Sequence, residues 1–351
     1  MKFATRVNRK AEDNINEAIS RRDFVRLGTA GAVGLGLSHA GQPAWAGVAS
    51  ARCDSVILLW MQGGVSHLDT FDPKPDAPAE IRGPFKAIGT NVPGIQLCEH
   101  LPRMARLADK IAFIRSMGHG EGAHERARSH MLSGCKPLPG AGHPNLGAVI
   151  SKALGVRGGV PCCVSMSGDG CFQPRSRFAL DLEAESEKTR EAYGRTGFGR
   201  KCLLARRLVE AGTRFVAVEE EGWDHHFQVF DALRNRLPMF DRAVSALIGD
   251  LAERGLLDRT MVVFATEFGR SPRINNEAGR EHHEGVFSCF LAGGGIRGGQ
   301  VVGASDARGE LPVGNVVSPA DFVRTVYHQV GVDADSQFAQ TMSGRLIREV
   351  V

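Results

Sequence analysis

The chain has 351 residues, 43 of them Lys or Arg and 39 Asp or Glu, for a formal net charge of +4. Seven of those bases and four of those acids lie in the first 46 residues, so residues 47–351 carry a net charge of only +1. That balance argues against nucleic-acid binding, which requires a concentrated basic face. The eight cysteines include no C-x-x-C pair, which argues against a thiolate zinc site.

Ser20-Arg21-Arg22-Asp23-Phe24-Val25-Arg26 precedes an apolar, Gly-rich run from Leu27 to Leu37, and Ala44-Trp45-Ala46 follows. A twin arginine, a weakly hydrophobic core and an A-x-A site predict an export signal over residues 1–46, read by the twin-arginine export machinery and cleaved after Ala46. The apolar run is about half the ~20 residues that a membrane span requires, so no stable span is expected. Residues 47–351 are then expected to form a single α/β domain, periplasmic or secreted.

Asp54 to Met61 is a continuous apolar run ending at Gly63-Gly64, the pattern of a central strand buried on both faces. Similar runs recur at Ile111–Met117, Val160–Met166, Arg214–Glu219, Met261–Ala265 and Val286–Ala292. Between them lie helical patterns. The clearest spaces Phe230, Leu233, Leu237, Phe240, Val244, Leu247 and Leu251 by threes and fours. Others cover Glu99–Ala108, His124–Leu132, Asn145–Leu154, Gly199–Ala211 and Pro319–Val330. Alternating strands and helices predict an α/β fold, a mostly parallel central sheet with helices on both faces. Asp72–Gly94, rich in proline, is expected as a surface excursion, and the charge-rich Gly168–Arg200 as a loop and short helix flanking a cleft. Cys162, Cys163 and Cys289 read as buried small hydrophobes, with at most one or two disulfides in the chain.

Four clusters of chemistry-bearing residues are expected at strand ends, and eight of the chain's 12 histidines fall in them. They are Gly63-Gly64-Val65-Ser66-His67-Leu68-Asp69-Thr70; His119 with His124 and His130; Gly222-Trp223-Asp224-His225-His226; and Glu267 with His282 and His283. Loops at the carboxyl ends of strands in an open α/β sheet are where such folds build sites. Imidazole mixed with carboxylate suits a divalent metal, zinc or manganese or iron, better than calcium, which prefers all-oxygen shells. Asp224, His226, Glu267 and His282 are the expected ligands, and His67 and Asp69 can join them; the bland reading of that pair is a turn held by side-chain hydrogen bonds. His225 and His283 are expected to point outward. Arg270 and Arg280 are expected to fork onto an anionic substrate oxygen. Gly293-Gly294-Gly295 lacks the Lys-Ser/Thr of a phosphate loop and reads as a turn.

The order of motifs is specific: the twin-arginine leader, Gly-Gly-Val-Ser-His-Leu-Asp-Thr-Phe-Asp-Pro-Lys, Pro-Ala-Glu-Ile-Arg-Gly-Pro-Phe, Gly-Trp-Asp-His-His, Thr-Glu-Phe-Gly-Arg-Ser-Pro and Leu-Ala-Gly-Gly-Gly-Ile-Arg-Gly-Gly. In these the chain resembles the exported bacterial proteins grouped as domain of unknown function family 1501, which are placed with the alkaline phosphatase and sulfatase superfamily. The resemblance implies an alkaline phosphatase/sulfatase-like sheet with a metal site at its strand ends and hydrolysis of phosphate or sulfate esters. His124-Glu-Arg-Ala-Arg-Ser-His-Met-Leu-Ser-Gly134 resembles the segment that starts at the sulfatase nucleophile, with His124 where Cys or Ser would stand. Thr266-Glu267-Phe268-Gly269 resembles the metal-binding Ser-Asp-His-Gly, and Asp224 and His226 resemble its Asp-x-x-x-His pair with shortened spacing. The paired aspartates after the first strand are replaced by Met61, Gln62 and Gly63. Without the hydroxyl, His124 or a water would attack a small anionic ester or a sulfated or phosphorylated glycan. The alternative is a non-catalytic exported binding protein on a degenerate sulfatase/phosphatase scaffold.

Overall fold

The apolar run after Asp54 forms β1 (Ser55–Met61), buried along its whole length. In the computed structural model, which describes residues 51–138, 142–167, 181–332 and 343–351, β1 lies inside a seven-stranded sheet. The segment read as an export signal, Cys171 and the first part of Gly168–Arg200 fall outside the described residues. The other strands are β2 (Ile111–Met117), β3 (Cys163–Met166), β4 (Phe215–Glu220), β5 (Thr260–Ala265), β6 (Phe287–Ala292) and β7 (Gln300–Val302). Their spatial order is β7-β2-β6-β5-β1-β4-β3. Every pairing is parallel except those of β6, which runs antiparallel to both β5 and β2.

The single reversed strand matters for the site. Parallel strands β1, β2, β4 and β5 end at one edge of the sheet, and β6 starts there. Residues just before β6 therefore meet residues just after the other four.

Side chains of a strand alternate between faces, and β1 divides its burial accordingly. Ile57, Leu59 and Met61 join the apolar cluster that includes α3 (Gly197–Ala211) and α4 (Val229–Glu253). Val56, Leu58 and Trp60 join the one that includes residues of α1 (His124–Ser133), α2 (Leu146–Leu154) and α5 (Pro319–Gln329). The spacing in α4 is realised: Leu233, Leu237, Phe240, Val244, Leu247 and Leu251 are buried, and Phe230 packs at the margin. Phe71, in the loop after β1, meets Phe264 of β5 and Phe290 of β6 edge-on at 5.1 and 5.6 Å. Such a buried ring contributes about 3–5 kcal/mol against truncation to Ala, and this one ties the loop carrying His67 and Asp69 to the sheet.

Four details depart from the sequence reading. The helix expected over Glu99–Ala108 is only Pro102–Ala105, begun by a proline and capped by the Asp241 carboxylate of α4, which accepts from the Arg103 and Met104 N–H groups. A 3-10 turn, Ala108–Lys110, then delivers the chain to β2. The excursion Asp72–Gly94 holds a helical turn, Ala79–Arg82, and one arm of a hairpin, Ala87–Gly89 with Gln96–Cys98. Cys289 is buried, but Cys163 is exposed and Cys162 half-buried because β3 is an edge strand; none of the three forms a disulfide. Among the described residues, no helix is long and apolar enough to cross a membrane.

Candidate metal centre

The first loop turns on Gly63 and Gly64, whose φ angles of 125° and 89° disfavour any L side chain. A Cβ on Gly63 would strike the Trp223–Asp224 backbone. The turn aims both glycine N–H groups at Glu267 Oε2, at 2.8 and 3.2 Å. Thr266 Oγ1 locks the same corner, donating to the Met61 carbonyl at 2.8 Å and accepting from Val65 N–H at 3.2 Å. Glu267 is 1% exposed, so only its Oε1 faces the loops, 3.9 Å from His124 Nδ1. His119 holds the Glu267 backbone: its Nδ1 accepts from Glu121 N–H, which leaves Nε2–H to donate to the Glu267 carbonyl at 2.7 Å. Burial pushes the His119 pKa down, in keeping with that neutral ring.

Asp224 is the hub. Its Oδ1 lies 3.0 Å from His226 Nε2 and 3.1 Å from His282 Nε2, and its Oδ2 lies 3.4 Å from His124 Nε2. The two imidazole nitrogens of His226 and His282 are 3.2 Å apart. His282 Nδ1 sits 2.9 Å from the Gly122 carbonyl and His226 Nδ1 2.7 Å from Glu281 Oε2, both acceptors only. Each Nδ1 therefore donates, which turns the Nε2 of each ring towards the other and towards the carboxylate. Phe268, fully buried, supplies an apolar floor, its ring centroid 4.3 Å from that of His282 and 5.0 Å from that of His124. Burial alone would raise the Asp224 carboxyl, but Arg270, through its hydrogen bond and its charge, outweighs it and holds the pKa well below the usual carboxylate range.

The ligating atoms of His124, Asp224 and His282 lie within 4.8 Å of one another. Three converging donors, two imidazoles and an ionised carboxylate, with the far nitrogen of His282 backed by the Gly122 carbonyl, make a donor set that fits a zinc-class divalent ion. His226 stands beside this group as a fourth donor. Glu267, expected as a ligand, lies behind His124 with one oxygen already bonded to the Gly63–Gly64 turn. His124, assigned from the sequence to attack, is instead one of the three residues whose ligating atoms converge.

The other expected site residues have partners of their own. Arg270 is 1% exposed: its Nε donates to the Gly64 carbonyl, Nη1 to the Arg280 carbonyl and towards His226 Nε2, and Nη2 to the Gly63 carbonyl and Asp224 Oδ1. All five donors are used within the protein, leaving none to fork onto a substrate. Arg280 is fully buried, its Nε and Nη2 on Asp69 at 2.7 and 3.1 Å and the rest of its donors on the carbonyls of Ile81, Ser271 and Pro272. Asp69 is equally buried, with Ser66 Oγ donating to it at 2.5 Å, so neither member of that pair is placed for a ligand. His67 is buried with its Nε2 3.0 Å from the Gly309 carbonyl, and burial pushes its pKa down to about 4. Of the adjacent histidines, His283 turns to the Glu310 carbonyl at 2.8 Å, while His225 is half-buried, its pKa brought to about 4 by burial.

Sequence reasoning assigned no role to Glu281, Asn275 or Gly122. Glu281 stood in plain view one residue before the His pair, but its link to His226 depends on a fold-back of 55 positions that periodicity does not reveal.

A search of the curated proteins finds no relative. Among solved structures the chain is similar to the lipoteichoic acid synthase LtaP from Listeria monocytogenes (11% identity, TM-score 0.47, 86% of this chain and 77% of that one covered). It is also similar to the phosphonate monoester hydrolase SpPMH from Silicibacter pomeroyi (12% identity, TM-score 0.44, 84% and 76% covered) and to the C-terminal periplasmic domain of EcEptC from Escherichia coli, in complex with Zn (11% identity, TM-score 0.46, 80% and 83% covered). A family model covers nearly all of the chain beyond its first 52 residues, matching 53–174 and 164–350, and by that match the protein belongs to the family described as protein of unknown function DUF1501.

Proposed function

We propose that this protein is an exported, metal-dependent hydrolase acting on a phosphate or sulfate ester, small or carried on a glycan. One observation carries the reading: His124, Asp224 and His282, from three separate loops, bring their ligating atoms within 4.8 Å at one sheet edge. A divalent ion bound there would polarise an ester oxygen and acidify an attacking water. The chain's own residues do the rest. His124 is the first residue of α1, whose N-terminus has no side-chain cap, so the helix offers N–H groups and a positive dipole end to an anion. That takes over the anion-binding role that the sequence reading gave to Arg270 and Arg280. Glu267, fixed by the Gly63–Gly64 turn, sets a carboxylate oxygen 3.9 Å from His124 Nδ1, a charge beside the ring rather than a hydrogen bond to it. Export through the twin-arginine route, removal of residues 1–46 and a periplasmic or secreted location belong to the same proposal and rest on the leader motif.

A second reading has its own support. Among the described residues, the hydroxyls nearest this cluster in sequence are not poised to attack: Thr266 and Ser66 are hydrogen-bonded within their loops, and Ser129 is exposed one turn beyond His124. On that ground the protein would bind an anionic ligand without turning it over. Metal analysis of the purified protein separates the possibilities. One ion per chain, lost in both Asp224→Ala and His282→Ala, with hydrolysis of an aryl phosphate or aryl sulfate, supports the first reading. An ion without hydrolysis leaves the second. A metal-free protein whose stability does not respond to added zinc or manganese rejects both metal roles.

A further inference from the structure

We infer that Glu281 and Asn275 are positioning residues that fix the tautomer of His226 and so build a fourth metal ligand in advance of the ion. The inference deepens the metal reading above and rests on it for its consequence, though not for its geometry.

The geometry is a chain of bonds in which each atom has one role. Asn275 Oδ1 accepts from the N–H groups of Glu277 and Gly279 at 3.0 and 2.8 Å, which leaves its Nδ2 to donate. That group donates twice, to the His226 carbonyl at 2.8 Å and to Glu281 Oε1 at 2.7 Å. The carboxylate so held turns its other oxygen, Oε2, to His226 Nδ1 at 2.7 Å. A carboxylate can only accept, so Nδ1 carries a proton; Nε2, 3.0 Å from Asp224 Oδ1 and 3.2 Å from His282 Nε2, also faces Arg270 Nη1 at 3.5 Å, a group that can only donate, and so keeps its lone pair on the side of the cluster.

The backbone around this unit is equally committed. Gln228 N–H donates to the Glu277 carbonyl and Val229 N–H to the Ala278 carbonyl, sewing the segment after His226 to the loop that carries Asn275. Gln228 and Ala278 adopt φ of 48° and 54°, the only described non-glycine residues with positive values. Gly279 packs so closely on the His226 carbonyl that a Cβ there would overlap it. A loop held this tightly leaves the ring one place to be. His282 reaches the same state by a simpler route, through the Gly122 carbonyl.

A general structural role for Glu281 would show as lost stability, whereas a positioning role shows in the ring. Long-range nitrogen-15 NMR of the wild-type, metal-free protein reads the tautomer directly: His226 is expected protonated at Nδ1, and at Nε2 in a growing fraction of Glu281→Ala molecules. Zinc affinity, measured by competition with a chelator, is expected to fall about 10–100-fold in Glu281→Ala. Glu281→Gln keeps one oxygen to accept from Nδ1–H but sets its NH2 against the Asn275 Nδ2 donor, so its zinc affinity is expected between those of wild type and Glu281→Ala, with the melting temperature of all three metal-free proteins alike. A wild-type ring protonated at Nε2, or a Glu281→Ala protein that binds zinc as tightly as wild type, overturns the inference. If the wild type binds no zinc, the metal reading fails, and the NMR result still decides whether Glu281 sets the tautomer.

Discussion

Two halves of the same sheet edge are built from the same residue types and do opposite things. In one, Asp69 and Arg280 meet with both side chains fully buried, and the remaining donors of the arginine all end on carbonyl oxygens. In the other, Asp224 is 42% exposed and faces three imidazoles, whose Nε2 atoms lie 3.0, 3.1 and 3.4 Å from its oxygens. The first half is a closed set of matched donors and acceptors. The second has an excess of acceptors pointed at one place. Residue type does not distinguish a structural from a functional group here; the balance of partners does.

The closed half is tested hardest by removing its cation. Arg280→Ala leaves the Asp69 carboxylate buried without its charge partner, a change that costs about 3–5 kcal/mol. Urea denaturation is expected to show that loss. Zinc affinity per folded molecule should hold within the same order of magnitude, because the pair is not part of the open cluster. If affinity for the ion collapsed while stability held, the division into two halves would be mistaken.

His67 belongs to the closed half and gives it a pH dependence. Burial brings its pKa from 6.5 to about 4. Between those values the unfolded chain takes up a proton that the folded ring refuses, so the stabilisation is complete above pH 6.5 and is lost as pH falls towards 4. Each tenfold drop in the ring's proton affinity is worth about 1.4 kcal/mol, which puts the contribution at about 3 kcal/mol. Unfolding free energies measured at about pH 7.5, 5.5 and 4 should fall less steeply in His67→Asn than in wild type. Equal slopes would mean that the folded ring takes up its proton at the same pH as the unfolded chain, so that burial does not depress it.

The fold itself was legible because its signals are local. Apolar runs such as Asp54–Met61 mark strands buried on both faces, and the threes and fours of Phe230 to Leu251 mark one long helix. Gln300–Val302 was missed because a three-residue edge strand with a single buried side chain carries almost no pattern. The reversal of β6 was equally invisible, since a strand reads the same in either direction; yet it is what brings His282 to Asp224. For the site, the clustering of His and carboxylate in four loops pointed to the right edge. It did not separate His67 and Asp69 from Asp224 and His282, because that difference lies in long-range partners: Gly309 and Arg280 for one pair, Gly122 and Arg270 for the other. Arg270 and Arg280 look alike as sequence and are both fully engaged as structure, which no motif announces.

The smallest expected effects come from two neighbouring backbone positions beside the open half, and they should differ in sign. Ala278 holds φ at 54°, where an L residue is strained by about 1–2 kcal/mol and glycine is not. Glycine gives back about 0.5–1 kcal/mol through the greater freedom of the unfolded chain, so Ala278→Gly should stabilise by no more than about 1.5 kcal/mol. Gly279 is next to it, without the positive φ but against the His226 carbonyl, and Gly279→Ala must move one or the other, at about 1–3 kcal/mol. Thermal unfolding of the two variants measures that contrast, and zinc affinity adds its meaning. Gly279→Ala displaces His226 from its place beside Asp224 and should weaken binding of the ion. Ala278→Gly leaves the seat intact and should not, so equal affinities in the two variants would mean that the ring's position is set elsewhere.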